Sequence, residues 1–145
     1  AEEAARLRVR RAETLDALLA EAEIVSLHLP VTEGTRNILD AAAIRRMRPG
    51  AVLVNTARGG LVDEAALAGA LRDGHLLAAG IDVFEREPPP PDHPLLGLPN
   101  VVLTPHISAG TRDAFEEKLS AALGNVADFL AGRPVRNLVD LPAAG

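Results

Sequence analysis

The chain has 145 residues, of which 48% are hydrophobic and 24% are charged, and its formal net charge is -5. This composition indicates one folded domain with a real core and argues against intrinsic disorder. The absence of cysteine excludes disulfides and thiolate metal ligands, and the negative charge with three phenylalanines as the only aromatic residues argues against nucleic acid as a partner. Since no apolar run approaches the roughly 20 residues of a membrane helix, we expect a cytoplasmic protein without a membrane partner.

Helices and strands alternate along the sequence. The apolar patterns and their terminating residues predict helices at 15–22, at 40–46, over about ten residues after Asp63, and at 112–131. They also predict short strands at 24–29, 51–54, 76–83 and 101–103. Each strand is apolar on both faces and too far from the next strand for a hairpin, which is typical of a parallel sheet covered by helices. The predicted fold class is therefore α/β.

Polar residues follow the predicted strands at the edge where parallel sheets bind their ligands. In chain order they are His28, the turn 55–60 with Arg58, the acids Asp82 and Glu87, and the segment 106–110 with His106. Each of them alone fits a surface or turn residue, but the topology brings all of them to one edge. An arginine can bind a carboxylate in a bidentate fork, and a histidine beside a carboxylate can protonate a developing alkoxide. Together they suit the reduction of a 2-oxo acid.

Two other chemistries are weighed at the same edge. A zinc site built from His28, His106 and Asp82 would lack a compact ligand spacing. A serine hydrolase built on Ser26 or Ser108 would lack the glycine-framed nucleophile elbow between a strand and a helix. Neither a metal nor a serine nucleophile is therefore expected. His75 and His93 are interpreted as structural or solvated residues.

Four motifs then make the sequence recognisable. They are SLHLP at 26–30, VNTARGGLVDEAAL at 54–67, AGIDVFEREP at 79–88 and TPHISAGT at 104–111. In this order and spacing, the sequence from about Leu15 to Leu141 resembles the D-isomer-specific 2-hydroxyacid dehydrogenase family, although each motif alone would be a weak signal. The resemblance implies a partial Rossmann-like parallel sheet flanked by helices. It also implies an NAD(P)-dependent oxidoreductase that interconverts a 2-oxo acid and a D-2-hydroxy acid by hydride transfer.

The resemblance assigns three catalytic residues. Arg58 would bind the substrate carboxylate and polarise its keto oxygen, His106 would be the general acid and base, and Glu87 would hydrogen-bond His106 and support its charged form. The implied cofactor-binding residues are Leu29, Thr56, Ala57, Arg58, Asp82, His106, Ser108 and Ala109, with Asp82 on the nicotinamide carboxamide. NAD or NADP is the expected cofactor, a small 2-oxo or 2-hydroxy acid the expected partner, and a homodimer the expected state of the full-length protein.

The family's glycine motif is missing from this sequence. No GxGxxG occurs in it, and the family's substrate domain is built mainly from residues that precede that motif. We therefore expect residues 1–145 to be the C-terminal part of a dinucleotide-binding domain, with 133–145 returning toward an absent substrate domain and an apolar face left exposed. The chain alone is expected to bind NAD(H) weakly and to be inactive. A non-catalytic ligand-gated interaction module of the corepressor type and an inactive truncated fragment remain as alternatives.

Overall fold

A computed structural model describes residues 4, 6–108 and 110–138. The chain divides after Ile107 into two compact units, which are described separately. The first unit contains, in chain order, α1 (Leu15–Glu21), β1 (Ile24–Leu27), α2 (Ala41–Arg46), β2 (Ala51–Asn55), a 3₁₀ turn (Gly59–Leu61), α3 (Glu64–Arg72), β3 (Leu76–Ile81) and β4 (Val101–Leu103). The α/β prediction is confirmed.

All four strands pair in parallel, in the order β1-β2-β3-β4. In this register Leu27 lies opposite Asn55, which lies opposite Ile81, which lies opposite Leu103. The carboxyl ends of the four strands are therefore level with one another. Because the order does not reverse, right-handed crossovers place α2 and α3 on one face of the sheet, where they pack against each other.

The predicted helix starts are confirmed by their capping hydrogen bonds. The side chains of Thr14, Asp40 and Asp63 each accept the amide N–H three residues further on, at 3.1, 2.8 and 2.9 Å respectively. A cap of this kind satisfies one of the backbone donors that the first helical turn leaves free, and it is worth about 1 kcal/mol. The short helices α1 and α2 therefore begin where local sequence places them.

Only one face of the sheet is covered in the first unit. Val25, Leu27, Leu53 and Ile81 are buried with the helices, whereas Ile24, Leu77 and Val102 are 66%, 65% and 70% exposed. The prediction of a sheet flanked by helices is confirmed, and because the strand order does not reverse, the helices of this unit lie on one face. Apolar side chains on both faces show that a strand tolerates burial, but the elements that provide the cover are set by the rest of the fold. An exposed apolar face was expected, and it is present.

The second unit is built on α4 (Arg112–Leu130), at the predicted position. Thr111 caps it by accepting the N–H of Ala114 at 3.3 Å. Asn125 pairs with the backbone of Arg136, accepting its N–H at 3.1 Å and donating to its carbonyl at 3.0 Å, so the segment after the helix folds back on it. Of the predicted return segment 133–145, residues 139–145 lie outside the described part. None of the described helices has the length and hydropathy of a membrane span.

Candidate functional site

The three predicted catalytic residues line one cavity at the carboxyl edge of the sheet. Arg58, Glu87 and His106 come from the loops after β2, β3 and β4, and they border a cavity of about 390 Å³. Val31, Arg36 and Glu85 complete much of its wall, with Arg36 donating to Glu85 at 3.1 Å. Parallel pairing with level strand ends is what assembles residues that are 29 and 19 positions apart in sequence, from Arg58 to Glu87 and from Glu87 to His106.

The turn that carries Arg58 is held by Asn55, the last residue of β2. Asn55 is buried, donates from Nδ2 to the carbonyl of Arg58 at 2.9 Å and accepts the N–H of Ala57 on Oδ1 at 3.1 Å. Arg58 itself is exposed, and its Nη1 donates to the carbonyl of Ala57 at 2.6 Å. A role for Asn55 beyond that of a polar turn residue was not predicted, although an amide directly after an apolar strand is a usable signal for such a clamp.

Glu87 and His106 form the central contact of the cavity. His106 Nδ1 lies 2.8 Å from Glu87 Oε2, while Glu87 Oε1 accepts the N–H of Phe84 at 3.0 Å. The hydrogen bond from His106, and after it the one from the Phe84 amide, lowers the pKa of the Glu87 carboxyl. Glu87 is therefore a carboxylate at neutral pH that accepts the Nδ1 proton, and this leaves Nε2 of His106 as the atom for proton transfer to a ligand.

Asp82 holds the turn that presents His106. Its buried Oδ1 accepts the hydroxyl of Thr104 and, at 2.9 Å, the N–H of Ile107. His106 has a φ of 54°, a left-handed conformation that costs a non-glycine residue about 1–2 kcal/mol. The two hydrogen bonds on either side of His106 offset that cost. Asp82 thus supports the turn, and its contact with a nicotinamide stays a prediction.

A second crevice adjoins the cavity that Arg58, Glu87 and His106 line. It has a volume of about 490 Å³ and is lined by His28, Leu29, Pro30, Val31, Ala57 and Arg58. Val31 and Arg58 border both spaces. Three of the predicted cofactor-binding residues, Leu29, Ala57 and Arg58, are in this crevice, and His28 lies there with its Nε2 2.9 Å from Ser26 Oγ.

The other predicted cofactor residues fall elsewhere. Thr56 is an exposed residue of the β2 turn, next to the crevice-lining Ala57. Ser108 belongs to the second unit, and Ala109 lies outside the described residues, so neither of these two is placed at the site. No three His, Asp or Glu side chains come together as a metal site in the described ranges.

The crevice fits one half of a dinucleotide. Its apolar wall of Leu29, Pro30 and Ala57 opens beside Arg58, so a flat ring placed there would adjoin the cavity that Arg58, Glu87 and His106 line. A pyrophosphate needs a glycine-rich loop at a helix N-terminus, and the sequence contains no GxGxxG to provide it. The crevice therefore fits a ring-bearing part of the cofactor, and the sequence supplies no glycine-rich loop for the pyrophosphate.

Comparison with known proteins agrees with this geometry. The sequence-family model described as the D-isomer specific 2-hydroxyacid dehydrogenase, NAD binding domain matches residues 1–108. The chain is 47% identical over 133 residues to (S)-sulfolactate dehydrogenase of Chromohalobacter salexigens, covering 92% of this chain and 43% of that protein. It is 45% identical over 131 residues to glyoxylate/hydroxypyruvate reductase B of Citrobacter koseri, covering 90% of this chain and 40% of that protein. The chain thus spans about two fifths of the length of these relatives.

Solved structures give the same result. The apo form of D-mandelate dehydrogenase from Rhodotorula graminis superposes with a TM-score of 0.85 at 34% identity, covering 99% of this chain and 42% of that one. A D-isomer specific 2-hydroxyacid dehydrogenase from Xanthobacter autotrophicus Py2, in complex with NADPH and MES, superposes with a TM-score of 0.74 at 41% identity, covering 87% of this chain and 51% of that one. The Rossmann-like sheet predicted from the sequence is confirmed.

Proposed function

This chain belongs to the D-isomer specific 2-hydroxyacid dehydrogenase family, and from that premise we propose that its cavity interconverts a small 2-oxo acid and a D-2-hydroxy acid with NAD or NADP. One observation carries the proposal. Glu87 and His106, 2.8 Å apart, share the cavity with Arg58. A proton donor and a carboxylate-binding cation therefore face the same ligand.

In this proposal Arg58 binds the substrate. The carboxylate of the 2-oxo acid pairs with its guanidinium, which presents several N–H donors in one plane. One Nη1 donor contacts the carbonyl of Ala57, which directs the side chain along the wall of the cavity. The adjacent keto oxygen is polarised by the same positive charge. Because the turn beneath Arg58 is clamped by Asn55, the guanidinium projects from a fixed backbone.

His106 moves the proton. A nicotinamide cofactor, when bound, would supply or accept the hydride at the substrate carbon. In the reducing direction His106 Nε2 gives its proton to the keto oxygen, so the carbonyl becomes a hydroxyl, and in the oxidising direction it takes that proton back. Glu87 keeps the imidazole ring oriented through Nδ1 and balances its positive charge. General acid catalysis of this kind contributes about 10²–10⁴-fold to a rate.

The activity of a whole enzyme is a further part of the proposal. Since the chain spans 43% and 40% of two relatives and has no GxGxxG, we propose that these 145 residues alone bind NAD(H) weakly and turn over no substrate. A longer polypeptide would add the glycine loop and a substrate domain, with 133–145 leading toward that domain. The homodimer and the cytoplasmic location belong to the same proposal and rest on family membership.

A chimera tests the proposal directly. The matching 131 residues of the Citrobacter koseri relative would be replaced by this chain, and oxidation of NADH or NADPH would be followed with glyoxylate and hydroxypyruvate. We expect turnover that falls at least about 100-fold in His106→Gln. His75→Gln is the matched control, because His75 bonds the carbonyl of Ile44 and does not border the cavity. A folded chimera that binds cofactor and keeps full turnover as His106→Gln contradicts the assignment.

The isolated chain has its own test. Calorimetric titration with NADH should give a dissociation constant well above the micromolar range, because nothing in the sequence supplies the pyrophosphate loop. Micromolar binding by the 145-residue chain would contradict this part of the proposal. It would not affect the roles of Arg58 and His106, which the chimera tests separately.

A further inference from the structure

The structure contains a second histidine–carboxylate pair besides Glu87 and His106. His93 Nε2 is 2.8 Å from Glu64 Oε2, and the two side chains are 6% and 15% exposed. The pair is thus far more buried than Glu87 and His106, whose side chains are 38% and 45% exposed. Neither His93 nor Glu64 borders the catalytic cavity, and the proposed chemistry uses neither of them.

Both members of the pair contact the loop that carries Glu87. Glu64 Oε1 accepts the N–H of Glu85 at 3.0 Å, across 21 residues of sequence. The ring of His93 stands edge-on to the ring of Phe84, with centroids 5.3 Å apart and an interplanar angle of 88°. Phe84 in turn donates its N–H to Glu87. The pair therefore contacts the segment that supplies one of the two hydrogen bonds fixing the Glu87 carboxylate.

The orientation of the pair is set by two further features. The N–H of Leu95 points at His93 Nδ1 at 3.4 Å, so Nδ1 is the acceptor and Nε2 carries the proton given to Glu64. Glu64 is the first residue of α3, where the helix dipole favours a negative charge. Each oxygen of Glu64 consequently has its own donor, His93 for one and Glu85 for the other.

We propose that Glu64 and His93 are positioning residues, which fix the Phe84–Glu85 segment and thereby aim the carboxylate of Glu87 at His106. Their effect on turnover rests on the proposed function. Their effect on Glu87 does not, because its ionisation is measured without substrate or cofactor. The proposal predicts that a substitution in the buried pair changes the pKa of the Glu87 carboxyl, a group that neither Glu64 nor His93 contacts.

The experiment is a ¹³C NMR titration of the Glu87 carboxyl in the 145-residue chain. His93→Phe keeps an aromatic ring against Phe84 but removes both hydrogen bonds of the imidazole. Glu64→Gln keeps the shape of the side chain but loses one of its two acceptor oxygens. In either variant the loop relaxes and the bond from Phe84 to Glu87 weakens, so the pKa of Glu87 should rise toward its ordinary value.

The sign of the change separates positioning from simple electrostatics. Glu64→Gln removes a negative charge, and the loss of a nearby like charge would by itself lower the pKa of Glu87. A rise therefore reports the loss of position. His93→Gln, whose amide can still donate to Glu64, should keep most of the wild-type pKa. His75→Phe removes a histidine hydrogen bond elsewhere, to the carbonyl of Ile44, and should leave the Glu87 pKa unchanged.

Two results would overturn the proposal. One is an unchanged or lowered pKa of Glu87 in a folded His93→Phe or Glu64→Gln chain. The other is an equal rise in His75→Phe, which would mark a general loss of stability. If His93→Phe gives a collapsed amide spectrum, Glu64→Gln decides alone, because it preserves the volume and shape of a side chain that is 15% exposed. The chimera can fail as an enzyme without affecting any of these outcomes.

Discussion

A methyl group at Gly59 would strike the backbone of the loop that carries Glu87. Gly59 follows Arg58 directly and begins the 3₁₀ turn. A Cβ added there would lie 1.9 Å from the carbonyl carbon of Phe84, 2.2 Å from its oxygen and 2.2 Å from the nitrogen of Glu85. These neighbours are main-chain atoms, so no side-chain rotation relieves the clash. Gly59→Ala must therefore push the β2 and β3 loops apart.

The magnitude follows from the contact distances. Carbon atoms in ordinary contact are about 3.5 Å apart. Compared with the 1.9 Å contact, the two loops would have to separate by roughly 1.5 Å. Overpacking of a buried site typically costs about 1–3 kcal/mol, and we expect Gly59→Ala to cost about 3 kcal/mol because the obstacle is backbone. With a urea m-value of about 2 kcal/mol/M, the unfolding midpoint should fall by about 1.5 M.

Urea unfolding of the 145-residue chain, followed by circular dichroism, measures this effect. Gly69→Ala is the matched control, because Gly69 lies inside α3 and a Cβ there would meet nothing within 4 Å. Alanine is preferred to glycine in a helix by about 1 kcal/mol, so the control should be as stable as the wild type or more stable. A Gly59→Ala chain with the wild-type midpoint and an unshifted Glu85 amide resonance would refute the close approach of the two loops.

Two further predictions concern Asp82 and the Glu87–His106 pair. Asp82→Ala should lower the free energy of unfolding by about 2–3 kcal/mol, because the hydroxyl of Thr104 and the N–H of Ile107 lose the buried carboxylate that accepts their hydrogen bonds. Asp82→Asn should lose less, and urea midpoints of the two variants check this. His106→Ala should raise the pKa of Glu87, since His106 is the main cause of its lowering. A lowered carboxyl pKa stabilises the fold fully above the ordinary pKa of glutamate, about 4.3, and this contribution is lost as the pH falls through the lower folded value. Between pH 5 and pH 3 the wild type should therefore lose more stability than His106→Ala, and equal losses would contradict the pairing.

Local sequence was sufficient for the order of helices and strands given above and for the sheet edge at which the candidate site residues lie. Helix caps such as Thr14 and Asp63 bond the backbone three residues further on, so the helix starts can be predicted from local sequence. The convergence of Arg58, Glu87 and His106 follows from a simple topological rule, because a parallel sheet brings its carboxyl ends to one edge. The roles of these residues came from family resemblance, since their chemistry alone also fits ordinary surface and turn positions.

The supporting contacts were not predictable in the same way. The pairing of His93 with Glu64 joins residues 29 positions apart, through a loop whose path the sequence does not specify. The contact of Gly59 with the Phe84–Glu85 backbone depends on how closely two loops approach, and glycine is compatible with many reasons for its presence. The uncovered sheet face was predicted only through the resemblance to a longer family domain, because strand composition alone reports tolerance of burial rather than the cover itself.

A continuous series of contacts links the loops after β2, β3 and β4. Gly59 packs on the Phe84–Glu85 backbone, Phe84 bonds Glu87, and Glu87 bonds His106. Glu87 and the turn of His106 are thus each held in part by a loop other than their own, and the strands alone fix only where the loops begin. Substitutions at different points of this chain of contacts should consequently couple when combined, as residues that share partners do. We therefore expect a substitution in one loop to shift the site residues carried by the next loop.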